Sequence, residues 1–267
     1  MVTGLASSPP PCPDHTAIQG PGGIWIPAVP EDLVVGEIGA IARDRNTVSI
    51  PIPGYWIHKD EKLAFESPPF PTAFLDGLAG YLYLTGLGFS EEDIILVGDS
   101  AGGNLALALT RYLLSNRVEQ PKLPKIPGAL ILHSPWTDVS EQFIDNPDPQ
   151  SSQALNVDRD WLAPTNSGFP RACAEAFLGG RPEHVELAYW NPYISPASPV
   201  FLGLTSDSPT RTISFKGFPR TFIDNGGFET LCDQTHRLGD AMVEDLGEEM
   251  VVYNEVDGAT HDYMTVD

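Results

Sequence analysis

The sequence predicts an α/β fold, in which a mostly parallel central sheet is flanked by helices. Short apolar runs rich in β-branched residues alternate with segments of helical periodicity. Several of these runs are apolar throughout, as expected of parallel strands buried on both faces. The chain has 267 residues, of which 42% are hydrophobic and 9% aromatic, so it can bury the core of a single domain.

The predicted elements follow one another in this alternating order. Strands are predicted at 47–52, 94–97, 129–133, 221–224 and 250–253. Helices are predicted at 74–82, 101–117 and 237–246. Residues 1–18 form an irregular lead-in, because proline is frequent there. Residues 138–199 break the alternation with Asp, Asn, Pro and Trp, which predicts an insertion acting as a reduced cap.

The charge balance excludes several classes of partner. The formal net charge is −21, and no Lys/Arg-rich run interrupts it. Nucleic acids and anionic membrane surfaces need a basic patch, so neither is expected to bind. Residues 221–267 contain 12 acidic residues and one basic residue, Arg237, and so contribute −11 of the total. The simplest interpretation of this segment is a solvated acidic face.

The three cysteines predict neither a disulfide framework nor a zinc site. Cys12, Cys173 and Cys232 are isolated and lack paired spacing. The first residues have neither the basic start nor the apolar run of a signal peptide. No apolar run approaches the roughly 18 residues of a membrane span. We therefore expect a cytoplasmic protein without an integral membrane segment.

The strongest motif is Gly-Asp-Ser-Ala-Gly-Gly-Asn at 98–104, between a predicted strand and a predicted helix. A sharp strand-to-helix turn exposes the Ser100 hydroxyl and requires small residues on either side, which Gly98 and Gly102 provide. The N–H of Ala101, at the start of the helix, can face a developing oxyanion. A phosphate-binding loop is the alternative, but no Lys follows Gly103.

A nucleophilic serine needs a base, which follows it in the chain in this class of fold. His184 falls in the insertion and His236 on a helix, so both are expected at the surface. His261 lies in a loop after the last predicted strand, where the base belongs.

The acid that orients this base has three candidates near the strand at 221–224. Asp224 lies on the strand, Glu229 follows a Gly-Gly turn, and Asp233 lies on the next helix. Spacing alone leaves the choice among them open.

The assembled motifs resemble the hormone-sensitive-lipase-like family of α/β-hydrolase esterases and lipases. The resemblance rests on the motif at 98–104, on Pro-Phe-Pro at 69–71 before Leu-Asp at 75–76, and on Ser-Pro-Trp-Thr-Asp at 134–138. Glu-Thr-Leu-Cys-Asp at 229–233 and Gly-Ala-Thr-His-Asp at 258–262 complete it. The resemblance implies the α/β-hydrolase fold and assigns the acid to Glu229.

The family's oxyanion loop is a His-Gly-Gly-Gly run, and this sequence departs from it. Gln-Gly-Pro-Gly-Gly stands at 19–23, with Gly22 78 residues before Ser100. Pro21 has no N–H, so Gly22 and Gly23 would be the donors. The alternative is a lead-in without a catalytic role. Only 18 residues precede Gln19 and six follow His261, so we expect the insertion to cover the site.

The sequence therefore predicts a serine esterase with Ser100 as nucleophile, His261 as base and Glu229 as acid, with no metal or organic cofactor. The expected partner is a small ester, of short-chain or secondary-metabolite type by the resemblance. The alternatives are an inactive binding protein on the same fold and an acyltransferase. Negative charge near His261 should raise its pKa and move the working range to higher pH.

Overall fold

The computed structural model describes residues 23–55, 69–162, 168–180 and 184–264. Its strands are β1 (Gly23–Ile26), β2 (Ile52–Tyr55), β3 (Ile95–Asp99), β4 (Ala129–His133), β5 (Arg220–Gly226) and β6 (Val251–Val256). Its α-helices are α1 (Gly36–Asp44), α2 (Thr72–Gly86), α3 (Ala101–Asn116), α4 (Ser152–Leu155), α5 (Phe169–Leu178), α6 (Val185–Trp190) and α7 (Cys232–Leu246).

The central sheet contains β3, β4, β5 and β6, all parallel and in the order of the chain. The predicted parallel sheet is therefore confirmed. Its register places Asp99 opposite His133, His133 opposite Asp224, and Asp224 opposite Asn254. The carboxyl ends of the four strands are thus level, and the loops that leave them meet at one edge of the sheet.

The prediction of a strand at 47–52 was wrong, because the strand there is β2, at Ile52–Tyr55. It pairs with β1 in a separate antiparallel sheet, with Ile26 opposite Ile52. Pairing of residues 47–51 would need the ladder to continue past Ile26. Pro27 and Pro30 follow there, and neither has an N–H to donate. Within the described ranges, residues 47–50 therefore have no partner strand despite their β-branched composition.

Helix α3 joins two buried apolar clusters. Leu109, Tyr112 and Leu113 pack in a cluster with α2 and the segment 174–194. Ala106 and Leu107 pack in the second cluster, which contains residues of β4, β5 and α7. Helix α3 follows directly after Ser100, so burial on both sides anchors the helix that carries the proposed nucleophile at its start.

Segment 138–199 contains a 3₁₀ turn at Val139–Phe143 and the short helices α4, α5 and α6. We predicted that the chain is a single domain and that this segment is a cap-like insertion in it. Both stay predictions. In the ranges described, no helix has the length and apolar character needed to cross a membrane.

Candidate active site

Ser100 occupies the turn between β3 and α3, with φ of +50° and ψ of −117°. A positive φ is strained for a residue with a side chain, so the surroundings must hold it. Its N–H donates to the carbonyl of His133 (2.9 Å), and its carbonyl accepts from the N–H of Trp136 (3.0 Å) and of Asn104 (3.3 Å). These contacts with the end of β4 and the loop after it fix the turn.

Glycines allow this turn to be tight. Of the two that the sequence indicated, Gly98 is required and Gly102 is not, and Gly103 is required in addition. A Cβ on Gly98 would lie 2.2 Å from the carbonyl oxygen of Gly102, and a Cβ on Gly103 2.7 Å from Pro135. A Cβ on Gly102 would meet only Asp99, at an ordinary 3.7 Å. The expectation that Gly102 must be small is therefore wrong, since its own Cβ would make only this ordinary contact, while its backbone is what leaves no room for a Cβ on Gly98.

His261 lies in the loop after β6 and contacts the other two predicted residues. Its Nε2 is 3.0 Å from Oγ of Ser100, and its Nδ1 is 3.1 Å from Oε2 of Glu229. A carboxylate only accepts hydrogen bonds, so Nδ1 carries the hydrogen and Nε2 accepts the hydroxyl of Ser100. The imidazole is buried, with 1% of its side chain exposed. The three residues form one continuous hydrogen-bonded chain.

Glu229 is fully buried in the loop after β5. While Oε2 accepts from His261, Oε1 accepts from the hydroxyl of Ser134 (2.6 Å) and from the N–H of Gly226 (2.5 Å). Every contact of this carboxylate therefore positions it toward the imidazole. Three donors to one charged group also satisfy it without water.

The two competing acids have other partners. Asp224 accepts from the hydroxyl of Tyr263 (2.8 and 3.0 Å) and from the amide of Asn254. Asp233 accepts the N–H of Ser152 (2.7 Å) at the start of α4. Of these three described carboxyl groups, Glu229 is the one that contacts His261, through Nδ1.

The two other candidate bases do not approach Ser100. Nδ1 of His184 lies 2.9 Å from the carbonyl of Leu178. His236 is half-exposed and its Nε2 lies 2.6 Å from Oε2 of Glu255. The geometry therefore brings together Ser100, His261 and Glu229 and leaves these histidines outside.

Segment 152–161 holds both functional loops, whereas the sequence predicts for it only a part in the insertion that covers the site. Buried Asp160 accepts the N–H of His261 (3.3 Å), and the N–H (2.7 Å) and hydroxyl (2.9 Å) of Thr230. Trp161 donates its indole N–H to the carbonyl of His261 (2.6 Å). Asn156 donates to the carbonyl of Glu229 (3.0 Å). No sequence signal identifies these residues, because each acts through a contact between distant parts of the chain.

The electrostatics favour a charged imidazole. Burial lowers the pKa of His261, but the hydrogen bond that Nδ1 donates to Glu229 and the negative charges of Asp262, Glu229 and Asp160 outweigh it, and the net shift is upward. The direction agrees with the sequence expectation. Burial raises the pKa of Asp262 to about 6. For a carboxyl group, an upward shift favours the neutral form.

The oxyanion donors are described only in part. Ala101 is the first residue of α3, so its N–H has no acceptor within the helix, and it lines the same cavity as Ser100. Gly22 lies outside the described residues, as do 19–21. Gly23 begins β1, opposite Tyr55. An oxyanion loop formed by Gly22 and Gly23 stays a prediction.

A cavity of about 230 Å³ opens beside Ser100 and His261, and we call it the Ser100 cavity. Its remaining walls are mostly apolar and come from Ala101, Trp136, Gln142, Trp161, Leu162, Phe169, Pro170, Cys173, Leu231 and Asp262. A second cavity, the Phe74 cavity, measures about 360 Å³ and shares Trp136 and Cys173 with the Ser100 cavity. It is lined further by Phe70, Ala73, Phe74, Ala101, Gly102, Asn104, Leu105, Ala108, Ala176 and Phe177.

The aromatic residues of segment 138–199 divide between these cavities and other surroundings. Trp161 and Phe169 line the Ser100 cavity, and Phe177 lines the Phe74 cavity. Tyr193 is buried in the core, whereas Trp190 is 65% exposed. The segment therefore supplies pocket walls as well as its own core.

Among the described residues, one group combines the ligand types that a metal ion prefers: Cys232, His236 and Glu255. The sulfur of Cys232 lies 4.0 and 3.9 Å from Nδ1 and Nε2 of His236. A sulfur equidistant from both nitrogens is not in the lone-pair direction of either. The group is better explained as a hydrogen bond between His236 and Glu255 beside a buried thiol.

A comparison with protein families identifies the family to which this fold belongs. The α/β-hydrolase fold family matches residues 62–265, which are most of the chain. The chain therefore belongs to the α/β-hydrolase fold family. The resemblance indicated by the motifs and the predicted fold are both confirmed.

Individual relatives match shorter stretches of the chain. An esterase from Acinetobacter venetianus is 43% identical over 84 residues, which are 32% of this chain and 25% of that protein. A triacylglycerol lipase from Mycobacterium tuberculosis is 44% identical over 48 residues, or 18% of this chain and 10% of that protein. The chain thus spans only a small part of the length of these curated relatives.

Solved structures match over a longer range. A crystal structure of EstE5 soaked with ethyl alcohol has 25% sequence identity and a TM-score of 0.53, covering 87% of this chain and 66% of that one. An esterase of the bacterial hormone-sensitive lipase family is similar in fold, with 24% identity, a TM-score of 0.52, and coverage of 87% and 65%. The chain spans about two thirds of these structures.

Proposed function

We propose that this protein is a serine carboxylic-ester hydrolase that works through Ser100, His261 and Glu229. The observation that carries the proposal is the unbroken path from the Ser100 hydroxyl through both nitrogens of His261 to a buried carboxylate. A serine hydroxyl is a weak nucleophile unless a base takes its proton as it attacks. The family membership and the relatives named esterase and lipase support the same reaction class.

The first half of the reaction transfers the acyl group to the enzyme. Oγ of Ser100 attacks the ester carbonyl carbon while its proton passes to Nε2 of His261. Glu229 keeps the other hydrogen on Nδ1 and stabilises the charged imidazole. The tetrahedral intermediate then loses its alcohol, whose oxygen takes the proton back from Nε2. The products of this half are a free alcohol and an ester of Ser100.

The second half repeats these steps with water. Nε2 of His261 removes a proton from water as its oxygen attacks the acyl carbon. The bond to Oγ of Ser100 then breaks, Oγ recovers the proton from Nε2, and a carboxylic acid leaves. The N–H of Ala101 faces the oxyanion in both halves, together with the amides of Gly22 and Gly23 if the predicted loop forms. No step needs a metal or an organic cofactor.

The dimensions of the Ser100 cavity indicate small substrates. Its volume of about 230 Å³ is below the roughly 300–1,000 Å³ of pockets that hold drug-sized ligands. Its walls are mostly apolar, which suits an acyl or alkyl group. We therefore propose that the preferred esters have short acyl chains, with Trp136 and Cys173 closing the way to the Phe74 cavity.

The test is hydrolysis of p-nitrophenyl esters from acetate to octanoate. We expect hydrolysis by the wild type to be fastest for the shortest chains and to fall to the background rate in Ser100→Ala. The matched control is Ser206→Ala, since Ser206 is exposed in a turn far along the chain and should keep wild-type rates. Equal rates in the wild type and in Ser100→Ala would refute the proposal.

A further inference from the structure

Asp262 makes a contact with the base that the reaction above does not use. Its Oδ2 lies 3.3 Å from Nε2 of His261, the same nitrogen that faces the hydroxyl of Ser100 at 3.0 Å. The Asp262 side chain is only 11% exposed and lines the Ser100 cavity. His261 thus has a carboxylate on each side, Glu229 at Nδ1 and Asp262 at Nε2.

The position of Asp262 is imposed by its backbone. Its φ is +53°, in the left-handed region, and its N–H donates to Oγ of Ser134 (3.0 Å). The same hydroxyl donates to Glu229 (2.6 Å), so one group links the acid to the backbone of Asp262. Trp161 holds the preceding carbonyl. These contacts hold the backbone that places the carboxylate beside Nε2.

We propose that Asp262 is a second positioning carboxylate of the base, which acts on Nε2 and sets the pH below which the enzyme switches off. This inference rests on the proposed function. In the neutral imidazole, Nε2 presents a lone pair, which the carboxylate repels. In the charged imidazole, Nε2 carries a hydrogen, which the carboxylate attracts. Ionised Asp262 therefore stabilises the charged form over the neutral one.

This stabilisation has two opposite effects on the reaction. The charged imidazole forms when Ser100 attacks, so an attractive carboxylate at Nε2 lowers the energy of the tetrahedral intermediate. In the resting enzyme, the same attraction keeps a proton on Nε2 as the pH falls. A protonated Nε2 cannot accept the Ser100 hydroxyl, so activity is lost at a higher pH than without Asp262.

The groups facing the pair come from every neighbouring element. Asp262 and His261 are close enough to titrate as a pair, and burial moves Asp262 toward the range of histidine. The positive forms of His261 and His133 oppose this shift, and Asp99 and Glu229 reinforce it. The charged or titratable neighbours are Asp99 at the end of β3, His133 at the end of β4, Glu229 after β5 and Asp160 of segment 152–161.

The test compares the pH dependence of kcat/KM in the wild type and in Asp262→Asn. Asparagine tolerates a positive φ and keeps the shape while it removes the charge. We expect the acid limb to move down by about 1 pH unit, the lower end of what a close opposite charge produces. The matched control is Asp257→Asn, which removes an exposed charge five residues earlier and should move the limb far less.

A second readout separates this inference from the proposed function. The titration of the His261 ring protons by NMR, assigned with His261→Gln, reports the midpoint without any turnover. We expect it to fall in Asp262→Asn by the same amount as the acid limb. If Asp262→Asn folds poorly, Asp262→Gly removes the same carboxylate at a φ that glycine adopts freely.

The outcomes are distinct. Suppose that the wild type hydrolyses esters. If Asp262→Asn moves neither the acid limb nor the NMR midpoint, or moves them no further than Asp257→Asn does, the role of Asp262 is wrong and the hydrolase proposal stands. If the wild type hydrolyses no ester, the hydrolase proposal fails. The NMR midpoint alone then decides whether Asp262 stabilises the charged imidazole, and an unchanged midpoint overturns that as well.

Discussion

The hydroxyl of Ser134 donates to Oε1 of Glu229 over 2.6 Å, and both side chains are buried. Ser134 has a φ of +43° in the loop after β4, and its N–H donates to the carbonyl of Asp224. Its Oγ also accepts the N–H of Asp262. One hydroxyl therefore connects the proposed acid with the loop that carries the proposed base.

Ser134→Ala should lower kcat by about 10- to 100-fold with little change in KM. The variant removes a hydrogen bond to a charged group, which contributes about 1.5–3 kcal/mol, and about 1.4 kcal/mol corresponds to a factor of ten. Steady-state kinetics with p-nitrophenyl acetate measures this, with Ser206→Ala as the control. An unchanged kcat would show that Gly226 alone positions Glu229 sufficiently.

Glu229→Gln should lower kcat by about 10³- to 10⁴-fold, since an amide neither stabilises the charged imidazole nor selects the correct tautomer. The matched control is Asp233→Asn, which alters the nearest alternative carboxyl of the same loop and helix. Asp233 accepts only the N–H of Ser152 and Asn can still accept it, so kcat should stay near the wild-type value. A large loss of kcat in Asp233→Asn, with little loss in Glu229→Gln, would show that Asp233 is the acid.

Asp160→Asn should destabilise the fold and slow the reaction together. Oδ1 accepts the N–H of His261 and Oδ2 accepts two donors of Thr230, so replacing either oxygen by an NH₂ opposes donor to donor. Urea unfolding should show a loss of about 1–3 kcal/mol. Asp158→Asn, at an exposed position two residues earlier, is the control. A stable variant with wild-type kcat would show that Asp160 of segment 152–161 does not position His261.

The pH–rate profile of the wild type should have a high acid limb. The pKa of His261 is raised, and only its neutral form acts as the base, so kcat/KM is lost as the pH falls through this raised value. The limb should therefore lie above the usual histidine pKa of about 6.5. The contribution of His261 to stability has the opposite course: it is complete below the unfolded pKa and is lost as pH rises through the folded one. An acid limb below about 6 would contradict the shift.

We expect Cys173 to control the acyl length that the proposed enzyme accepts, because its side chain lines both cavities. Cys173→Ala should raise the ratio of octanoate to acetate hydrolysis severalfold, since each methylene buried in the Phe74 cavity contributes about 0.8 kcal/mol. Cys173→Phe should lower the same ratio. Cys232→Ala changes a thiol that lines neither cavity and serves as the control. A ratio that is the same in all four proteins would mean that the acyl chain lies elsewhere.

Much of the site could be predicted from local sequence, because its main parts are local structures. A buried apolar strand, a turn of small residues and a helix identify Ser100 within seven residues, and His261 follows a strand directly. The parallel order of strands also followed from the alternation of patterns. These features need no information about distant parts of the chain.

The exceptions depend on neighbours that a pattern does not contain. Residues 47–51 have strand composition, but in the part of the chain that the structure describes they lack a partner strand, because Pro27 ends β1. Gly102 looks essential in the motif, yet it is the backbone of Gly102 that meets Gly98. In both cases the composition was compatible with the prediction, and the geometry of a second segment decided otherwise.

The order of residues along the chain was enough to indicate the fold family, the nucleophile and the base, because strand, turn and helix propensities act over a few residues. Local spacing left three acids open and the family resemblance pointed to Glu229, whereas the contact of Glu229 with His261 belongs to the tertiary structure, as do the contacts of Ser134, Asp160 and Asp262. Ser134 lies 95 residues from Glu229, and Asp160 lies 101 residues from His261. Hydrogen bonds of a few ångströms between such distant residues exist only after the sheet has brought the ends of its strands level.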